Sequence, residues 1–327
     1  LTTEHDRPIL NVYTWGEFIS PDVISDFEDK YHCWVEVDVY DSNEALYAKL
    51  KAGAVGYDVI FPSHYFVDIM GKQNMLAPLD FSLIPNSALL SAEYMPGLKP
   101  TTEWSVTYML SNTIVAYRKS ALPNPKHSWT VFADPAVHKR ATMLNDPREA
   151  IGAALKVLGY SLNTQNPDEI NAAADLVIQW KSNLAKFDNE QFKYAIATGE
   201  QILVQGYTGM LLQVQREDSG IELFFPKEGS AMSADHMAIL RESTQLELAH
   251  AFINHLLDPD IAKINMESVL ELTPIPAAIE KMPKDLRENP AFLPTADLME
   301  KNEFILDVGP ALKHYNSAWD RIKAAHP

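Results

Sequence analysis

Two carboxylates lie three residues apart in the segment Asp146-Pro147-Arg148-Glu149. An acidic residue, a proline and then a glutamate three positions after the first acid is a pattern typical of a helix start. Paired carboxylates can instead hold a cation, or can act as acid and base in glycoside hydrolysis if one pKa is raised. The spacing leaves all three interpretations open.

Four aromatic residues fall in predicted loops or at strand ends, where packing into a core is less assured than inside a helix or strand. Aromatic faces attract ammonium and guanidinium groups, but an average loop aromatic packs against its neighbours. These rings indicate an aromatic surface without identifying what it binds. They are Trp15, Phe18, Tyr65 and Tyr207.

Familiar motifs of catalysis and metal binding do not occur. The sequence contains no G-x-S-x-G, no H-E-x-x-H, no G-x-x-x-x-G-K-[ST] and no G-x-G-x-x-G. His250 and His255 are five residues apart on a predicted helix and therefore point in different directions. The single cysteine, Cys33, excludes an internal disulfide and a Cys-rich zinc site, and we expect it to be buried. We predict no catalytic activity, no cofactor and no metal.

Charge and hydropathy exclude two further classes of protein. The formal net charge is −17, whereas nucleic-acid binding relies on clustered lysines and arginines. The longest apolar stretches, at residues 57–62 and 231–240, are far shorter than the roughly 20 residues that a membrane-spanning helix needs. We therefore expect neither a nucleic-acid partner nor a membrane span.

The first 80 residues alternate between strand and helix patterns. Short βα units favour a sheet covered by helices, with ligands beyond the carboxyl ends of the strands. This layout would bring residues 15–18 and 63–65 to one edge of the sheet. Asp41 and Glu44 have capping-box spacing before the second helix. The predicted β-α-β-α-β series is Ile9–Thr14, Pro21–Lys30, Trp34–Tyr40, Asn43–Ala52 and Tyr57–Phe61.

A second α/β region is predicted to begin at a strand over Ala141–Asn145. The chain of 327 residues exceeds the usual size of a single core, yet no Pro-, Gly- or Ser-rich linker divides it. We therefore predict two lobes joined by several short strand crossovers. The other predicted elements are helices Pro147–Leu158, Pro167–Ala185 and Gln245–Leu257, and strands Gln201–Gln205, Ile221–Phe225 and Met237–Leu240.

Six segments are spread over nearly the whole chain: Val12–Phe18, Tyr40–Leu50, Tyr57–Ser63, Pro226–Gly229 leading to Asp235, Leu256–Asp260 and Asp307–Gly309. Together they resemble the periplasmic polyamine-binding proteins of the spermidine and putrescine ABC importers. The resemblance implies an α/β, bilobal type II solute-binding protein with a hinge. It places 1–112 and 239–284 in the N-terminal lobe, and 113–238 and 285–327 in the C-terminal lobe.

The resemblance also implies a ligand site lined by rings and carboxylates. Asp235 and Glu17 are the carboxylates expected to contribute most, because removing either leaves a buried ammonium unmatched. Ser233, Glu271 and Ile305 depart from the family pattern, which leaves the length of the ligand open. The expected ligand-binding residues are Trp15, Glu17, Phe18, Ser63, Tyr65, Asp146, Glu149, Tyr207, Asp235 and Glu271.

The function implied by this resemblance is capture of putrescine or spermidine by hinge closure between the lobes, followed by delivery to ABC permease subunits. The protein would be a periplasmic monomer, either free or tethered as a lipoprotein through an N-terminal cysteine absent from this chain. Three rivals remain. They are a solute-binding protein for another cationic or amino-acid ligand, with Arg148 as the carboxylate partner; an enzyme using Asp146 and Glu149 or Asp235; and a ligand sensor.

Overall fold

The computed structural model describes residues 7–325. The strands are β1 (Ile9–Trp15), β2 (Trp34–Tyr40), β3 (Val59–Ile60), β4 (Ser105–Arg118), β5 (Ala141–Met143), β6 (Leu184–Phe187), β7 (Leu203–Tyr207), β8 (Ile221–Phe224), β9 (Ala231–Ile239) and β10 (Glu303–Phe304). The helices are α1 (Pro21–Tyr31), α2 (Asn43–Lys51), α3 (His64–Lys72), α4 (Pro147–Val157), α5 (Pro167–Lys181), α6 (Phe192–Thr198), α7 (Thr208–Glu217), α8 (Leu246–Leu256), α9 (Pro259–Val269), α10 (Pro276–Ile279), α11 (Lys284–Arg287), α12 (Ala296–Met299) and α13 (Leu312–Ala324).

The chain divides into two compact units. The first comprises Leu1–Leu110 and Ala234–Arg287, and the second comprises Ser111–Ser233 and Glu288–Pro327. The predicted boundaries between the lobes lay after residues 112, 238 and 284, whereas the observed boundaries lie after residues 110, 233 and 287. Asp235 therefore belongs to the first unit rather than to the second. The reason is that the second half of β9 pairs with β3 of the first unit. The hinge between the lobes stays a prediction.

The first unit contains a sheet in the order β2-β1-β3-β9. Strand β1 is parallel to both β2 and β3, and β3 is antiparallel to β9. Strands β1 and β3 carry fully buried apolar residues such as Val12 and Ile60, because helices cover the sheet. As the sequence predicted, the ends of β1 and β3 lie side by side, which positions the loop after Trp15 near Ser63.

The second unit is also built on a mixed sheet. Strand β7 is antiparallel to β4 and parallel to β5, which in turn is parallel to β6. Helices α4, α5 and α13 pack against one another and share an apolar core that includes Trp129, Trp180 and Tyr315. Strand-and-helix alternation in both units confirms the predicted α/β class. Within residues 7–325, no helix is both long and apolar enough to cross a bilayer.

Several local predictions were wrong. Helix α2 is capped by Ser42, whose side chain accepts the N–H of Ala45, and not by Asp41. Helix α5 ends at Lys181, and strand β6 begins at Leu184 inside the range predicted as helical. Residues after Ser63 form helix α3 rather than a loop.

Gly229 provides a test of the packing before β9. Its φ is +92°, and a Cβ built there would overlap the backbone carbonyl of Lys301. Gly53 has the same φ of +92° but no heavy atom within 4 Å of such a Cβ. We expect Gly53→Ala to cost about 1–2 kcal/mol of unfolding free energy, from backbone strain alone. Gly229→Ala should cost at least about 1–3 kcal/mol more, because the carbonyl must also move. Equal losses in denaturant unfolding would contradict the close approach.

Candidate functional site

Ser63 and Asp235 face each other where β3 ends beside β9. The antiparallel register that pairs Val59 with Ile239 continues to a bridge between Ser63 and Asp235. Directly opposed residues of such a pair point their side chains to the same face. Ser63 Oγ donates to Asp235 Oδ1 at 2.7 Å, and the Asp235 side chain is buried. The fold thus brings these two predicted residues into contact.

Burial dominates the electrostatics of Asp235. Loss of solvent raises its pKa to about 7, and the hydrogen bond from Ser63 opposes that rise. Burial therefore favours the neutral carboxyl in the ligand-free protein. A bound cation would replace the lost solvation and favour the charged form, which makes this position suited to an ammonium group.

Trp15 is held against the same segment by its indole. Trp15 Nε1 donates to the Phe61 carbonyl at 2.9 Å, and Tyr40 Oη donates to the same oxygen at 2.6 Å. The Trp15 and Tyr40 rings pack edge-on with centroids 4.6 Å apart. Tyr40 is close enough to Asp235 that the carboxylate adds to the burial-driven rise of the tyrosine pKa. An aromatic wall therefore lies near the buried acid.

The loop after β1 carries Glu17 and Phe18. Glu17 is exposed and has a φ of +55°, a left-handed backbone that is uncommon for residues other than glycine and is frequent at functional sites. The Phe18 carbonyl accepts the Tyr108 hydroxyl at 2.9 Å, and the two rings pack edge-on at 5.3 Å. Tyr108 thus anchors the loop just after Glu17.

Tyr65 and Glu271 are the other predicted residues of the first unit. Tyr65 lies in the first turn of α3, is half-buried, and has its ring centroid 4.9 Å from that of Phe66. Glu271 is buried after α9, beside Leu272, which pairs with Leu110 of β4. Tyr65 therefore follows Ser63 on a rigid helix. The part of Glu271 in the site stays a prediction.

In the second unit, Asp146 caps helix α4. Its Oδ1 accepts the backbone N–H groups of Arg148 at 2.7 Å and Glu149 at 3.2 Å, which confirms the predicted helix start. Desolvation nevertheless raises the Asp146 pKa. A capping role and a ligand-binding role are compatible here, because both N–H groups are accepted by the same oxygen.

Glu149 is the more perturbed of the two acids. It is buried, and burial together with the nearby Asp146 charge raises its pKa to about 8, against the opposing effects of a hydrogen bond with Thr113 and of Arg148. Its Oε2 is buried and makes no hydrogen bond within residues 7–325. A buried carboxyl with a free oxygen is a candidate partner for a cation.

Tyr207 joins this second group through the sheet. It ends β7 opposite Thr113 of β4, the residue that hydrogen-bonds to Glu149. Gln205, two residues earlier, accepts the Leu144 N–H and donates to the Glu149 carbonyl, which ties β7 to the start of α4. The structure therefore brings together Asp146, Glu149 and Tyr207 in the second unit.

Arg148, the candidate partner for an amino-acid carboxylate, is committed to the protein interior. Its Nη1 donates to the Leu306 carbonyl, and its Nη2 donates to the Leu162 carbonyl and to Asn163. The guanidinium also lies 4.7 Å from the Tyr315 ring centroid. The two Nη atoms are therefore already occupied, which counts against Arg148 as the partner of a solute carboxylate.

His250 and Cys33 have structural surroundings. His250 Nε2 accepts the Asp80 N–H at 3.0 Å, and Cys33 is buried as predicted. Among residues 7–325 there is no group of three or more histidine, cysteine or acidic side chains placed to hold a metal ion.

Comparison with known proteins agrees with this geometry. Residues 22–295 match the model of the bacterial extracellular solute-binding protein family. The chain belongs to this family. The spermidine/putrescine-binding periplasmic protein of Salmonella typhimurium is 31% identical over 98% of this chain and 92% of its own length. The putrescine-binding periplasmic protein SpuD of Pseudomonas aeruginosa is 30% identical over 98% and 93%.

Solved structures confirm the fold. A Listeria monocytogenes protein has a TM-score of 0.90 at 29% identity, with 97% of this chain and 99% of that chain covered. The TpPotD lipoprotein of Treponema pallidum has a TM-score of 0.86 at 32% identity, with 96% and 99% covered. The predicted type of solute-binding fold and the predicted relationship to polyamine-binding proteins are therefore confirmed.

Sequence reasoning missed the residues that orient the site. Tyr40 and Asn43 were treated only as parts of a strand and a helix, although Tyr40 packs on Trp15 and Asn43 hydrogen-bonds to Ser63. Thr113 was missed because β4 was not predicted. The Tyr40–Leu50 segment that resembles the polyamine-binding family contains the first two and was the available signal.

The raised pKa of Asp235 predicts how stability depends on pH. The folded state holds the proton up to about pH 7, whereas an unfolded aspartate loses it near pH 4. The protonated carboxyl therefore adds to the free energy of unfolding. This contribution is fully present below about pH 4 and is lost as pH rises through 7, by up to about 1.4 kcal/mol per pH unit. Asp235→Asn should therefore raise the melting temperature of the ligand-free protein at pH 8 but not at pH 4.

Asp29→Asn is the matched control for this experiment, because Asp29 is an exposed aspartate on α1 of the same unit. Thermal unfolding of both variants across pH 4–8 separates the effect of burial from that of lost negative charge. An equal gain for the two variants at pH 8 would count against a buried, desolvated Asp235.

Proposed function

We propose that this protein binds a polyamine, putrescine or spermidine, and delivers it to the permease subunits of an ABC importer. The observation that carries the proposal is the buried Asp235 carboxylate, held by Ser63 near the Trp15 and Tyr40 rings. Relatives about 30% identical over nearly the full chain are named spermidine/putrescine-binding and putrescine-binding proteins. Those names support the same ligand class.

Polyamine chemistry matches the two groups of residues. A linear polyamine carries more than one ammonium group, separated by methylenes, so its recognition needs more than one set of carboxylates and apolar surface between charges. Asp235 near the Trp15 ring is one such pairing of a carboxylate with an apolar surface. A ring face contributes roughly 0.5–2 kcal/mol and a buried methylene about 0.8 kcal/mol, whereas an unmatched buried charge costs several. The carboxylates should therefore dominate affinity.

The rest of the proposal concerns where and how the protein works. We propose that it acts as a monomer in the periplasm, without a nucleic-acid partner, and that a lipid tethers it to the membrane. The periplasmic relatives support the location, and the lipoprotein nature of the Treponema pallidum neighbour supports the tether. We also propose that it catalyses no reaction, which its membership of a solute-binding family supports.

Calorimetric titration with putrescine and with spermidine tests the function. We expect saturable binding of at least one amine, with the amine recovered unchanged after prolonged incubation. Binding of neither amine would refute the proposal, and conversion of the amine would favour the enzyme alternative. A thermal-shift screen with amino acids tests the remaining solute-binding alternative.

The ranking of carboxylates over rings gives a second test. Asp235→Ala should weaken amine binding by at least about 100-fold, because it leaves an ammonium group unmatched. Phe18→Leu should weaken amine binding only about 3- to 10-fold, because the other aromatic rings of the site remain. Asp29→Ala, an exposed change on the same unit, should leave affinity unchanged. Comparable losses for Asp235→Ala and Phe18→Leu would overturn the ranking.

Amine binding should release protons near neutral pH. The pKa of Asp235 is raised to about 7 and that of Glu149 to about 8, so both hold protons that a bound ammonium would displace. Putrescine affinity should rise from pH 6 to about pH 8.5, because its two amines resemble the lysine ammonium and keep their charge over this range. Titration in buffers with different ionisation enthalpies measures the release, which Asp235→Asn and Glu149→Gln should each reduce. Binding without proton exchange at pH 6.5 would contradict this mechanism.

A further inference from the structure

Asn43 begins helix α2 and lies against Ser63, twenty positions further along the chain. Two hydrogen bonds join the residues. The Ser63 backbone N–H donates to Asn43 Oδ1 at 3.0 Å, and Asn43 Nδ2 donates to Ser63 Oγ at 3.0 Å. Both side chains are buried. The Asn43 amide therefore hydrogen-bonds to both the main chain and the hydroxyl of Ser63.

These two hydrogen bonds determine the direction in which the Ser63 hydroxyl proton points. The backbone N–H can only donate, so the Asn43 atom facing it is the oxygen and the atom facing Ser63 Oγ is the nitrogen. Because Oγ accepts from Asn43, its single proton is available for its other neighbour, Asp235 Oδ1, 2.7 Å away. The three side chains form one directed series of hydrogen bonds that ends on the carboxylate.

The local structure of Ser63 supports a role beyond helix capping. Ser63 stands at the N-cap of α3, where a serine side chain normally accepts a backbone N–H of the first turn. Here the hydroxyl makes no such bond and is used for Asp235 instead. A local rule broken in this way is typical of a functional site.

We propose that Asn43 is a positioning residue of the amine site, which orients Ser63 so that its hydroxyl donates to Asp235. The assignment deepens the proposed function and rests on it. Its consequence is a carboxylate with Oδ1 occupied by a donor and Oδ2 left for the ligand. A donor on Oδ1 also favours the ionised form, which is the form that binds an ammonium group.

The other titratable groups on elements around Asp235 do not supply this donor. His236 is neutral, because burial lowers its pKa to about 3, and its ring nitrogens lie 2.8 Å from Ser105 Oγ and 3.1 Å from Thr107 Oγ1. Burial also lowers the pKa of His64, whose ring packs edge-on against His236. The remaining titratable side chains on β1, β2, α2 and α3 and in the loops 16–20, 41–42 and 52–58 are Tyr13, Glu17, Glu36, Asp38, Tyr40, Asp41, Glu44, Tyr47, Lys49, Lys51, Tyr57, Asp58, Tyr65, Asp68 and Lys72.

Asn43→Asp separates positioning from simple structural support. The new carboxylate can still accept the Ser63 N–H, but it cannot donate to Oγ and competes with Asp235 for the hydroxyl proton. We expect putrescine affinity at pH 7.5 to fall about tenfold, the size of a lost hydrogen bond to a charged group. The pH at half-maximal affinity should rise. Added negative charge alone would strengthen cation binding, so the sign of the change distinguishes the two effects.

Two further variants complete a double-mutant cycle. Ser63→Ala removes the hydroxyl, so Asn43→Asp should cause little further loss of affinity in that background. Asn43→Ala removes both hydrogen bonds and should also weaken binding, with a lower melting temperature. Asn254→Asp is the matched control, since Asn254 Oδ1 accepts the Asn86 N–H in the same unit. It should change neither affinity nor its pH dependence.

An NMR titration of the Asp235 carboxyl in the ligand-free protein distinguishes the two proposals. We expect Asn43→Asp to raise the Asp235 pKa relative to wild type. An unchanged pKa and unchanged putrescine affinity in folded Asn43→Asp would overturn the role of Asn43 and leave the proposed function standing. If the wild type binds neither putrescine nor spermidine, the proposed function fails, and Asn43 then positions Asp235 for another ligand if the uncharged variant Asn43→Ala also raises the Asp235 pKa.

Discussion

Burial of a carboxyl group with too few partners is the constraint on which this protein depends. Asp235 has been taken out of water by the packing of β9 against β3, and the hydrogen bond from Ser63 only partly compensates. Burying a charge without full compensation destabilises the folded state. Such an arrangement persists when it serves a ligand, because a cation that completes the solvation of the carboxylate is bound strongly and selectively.

The second unit reaches a similar state by a different route. Glu149 is buried on the first turn of α4, where the N-terminal end of a helix favours negative charge. Desolvation and the adjacent Asp146 outweigh that preference and raise its pKa to about 8. One unit therefore places its acid on a strand opposite a serine, and the other places its acid on a helix beside a second acid. Both buried acids are therefore suited to a cationic ligand.

Much of the fold followed from local patterns, and the failures have identifiable causes. The alternation of β1, α1, β2 and α2 was readable because apolar residues recur with strand or helix spacing, and because Pro21 marks the start of α1. Strand β4 was not, because its fourteen residues are nearly all buried and mix Ser, Thr and Asn with apolar residues, so neither period stands out. Asp235 was identified from family resemblance, but its unit depended on strand pairing between distant segments. The role of Asn43 depended on contacts across twenty positions that no local pattern encodes.

Arg148 has a consequence for how ligand specificity can change among related proteins. Its Nη atoms already serve Leu306, Leu162 and Asn163, and its guanidinium lies against Tyr315. Recruiting it to a solute carboxylate would take this donor from the Leu306 carbonyl and remove the contact with Tyr315 of α13. A descendant that takes up an anionic or zwitterionic solute would therefore need a carboxylate partner other than Arg148, such as a new cationic residue or a helix N-terminus. Drift among cationic solutes requires only changes in the surrounding rings, so evolutionary change should be easier within that class than out of it.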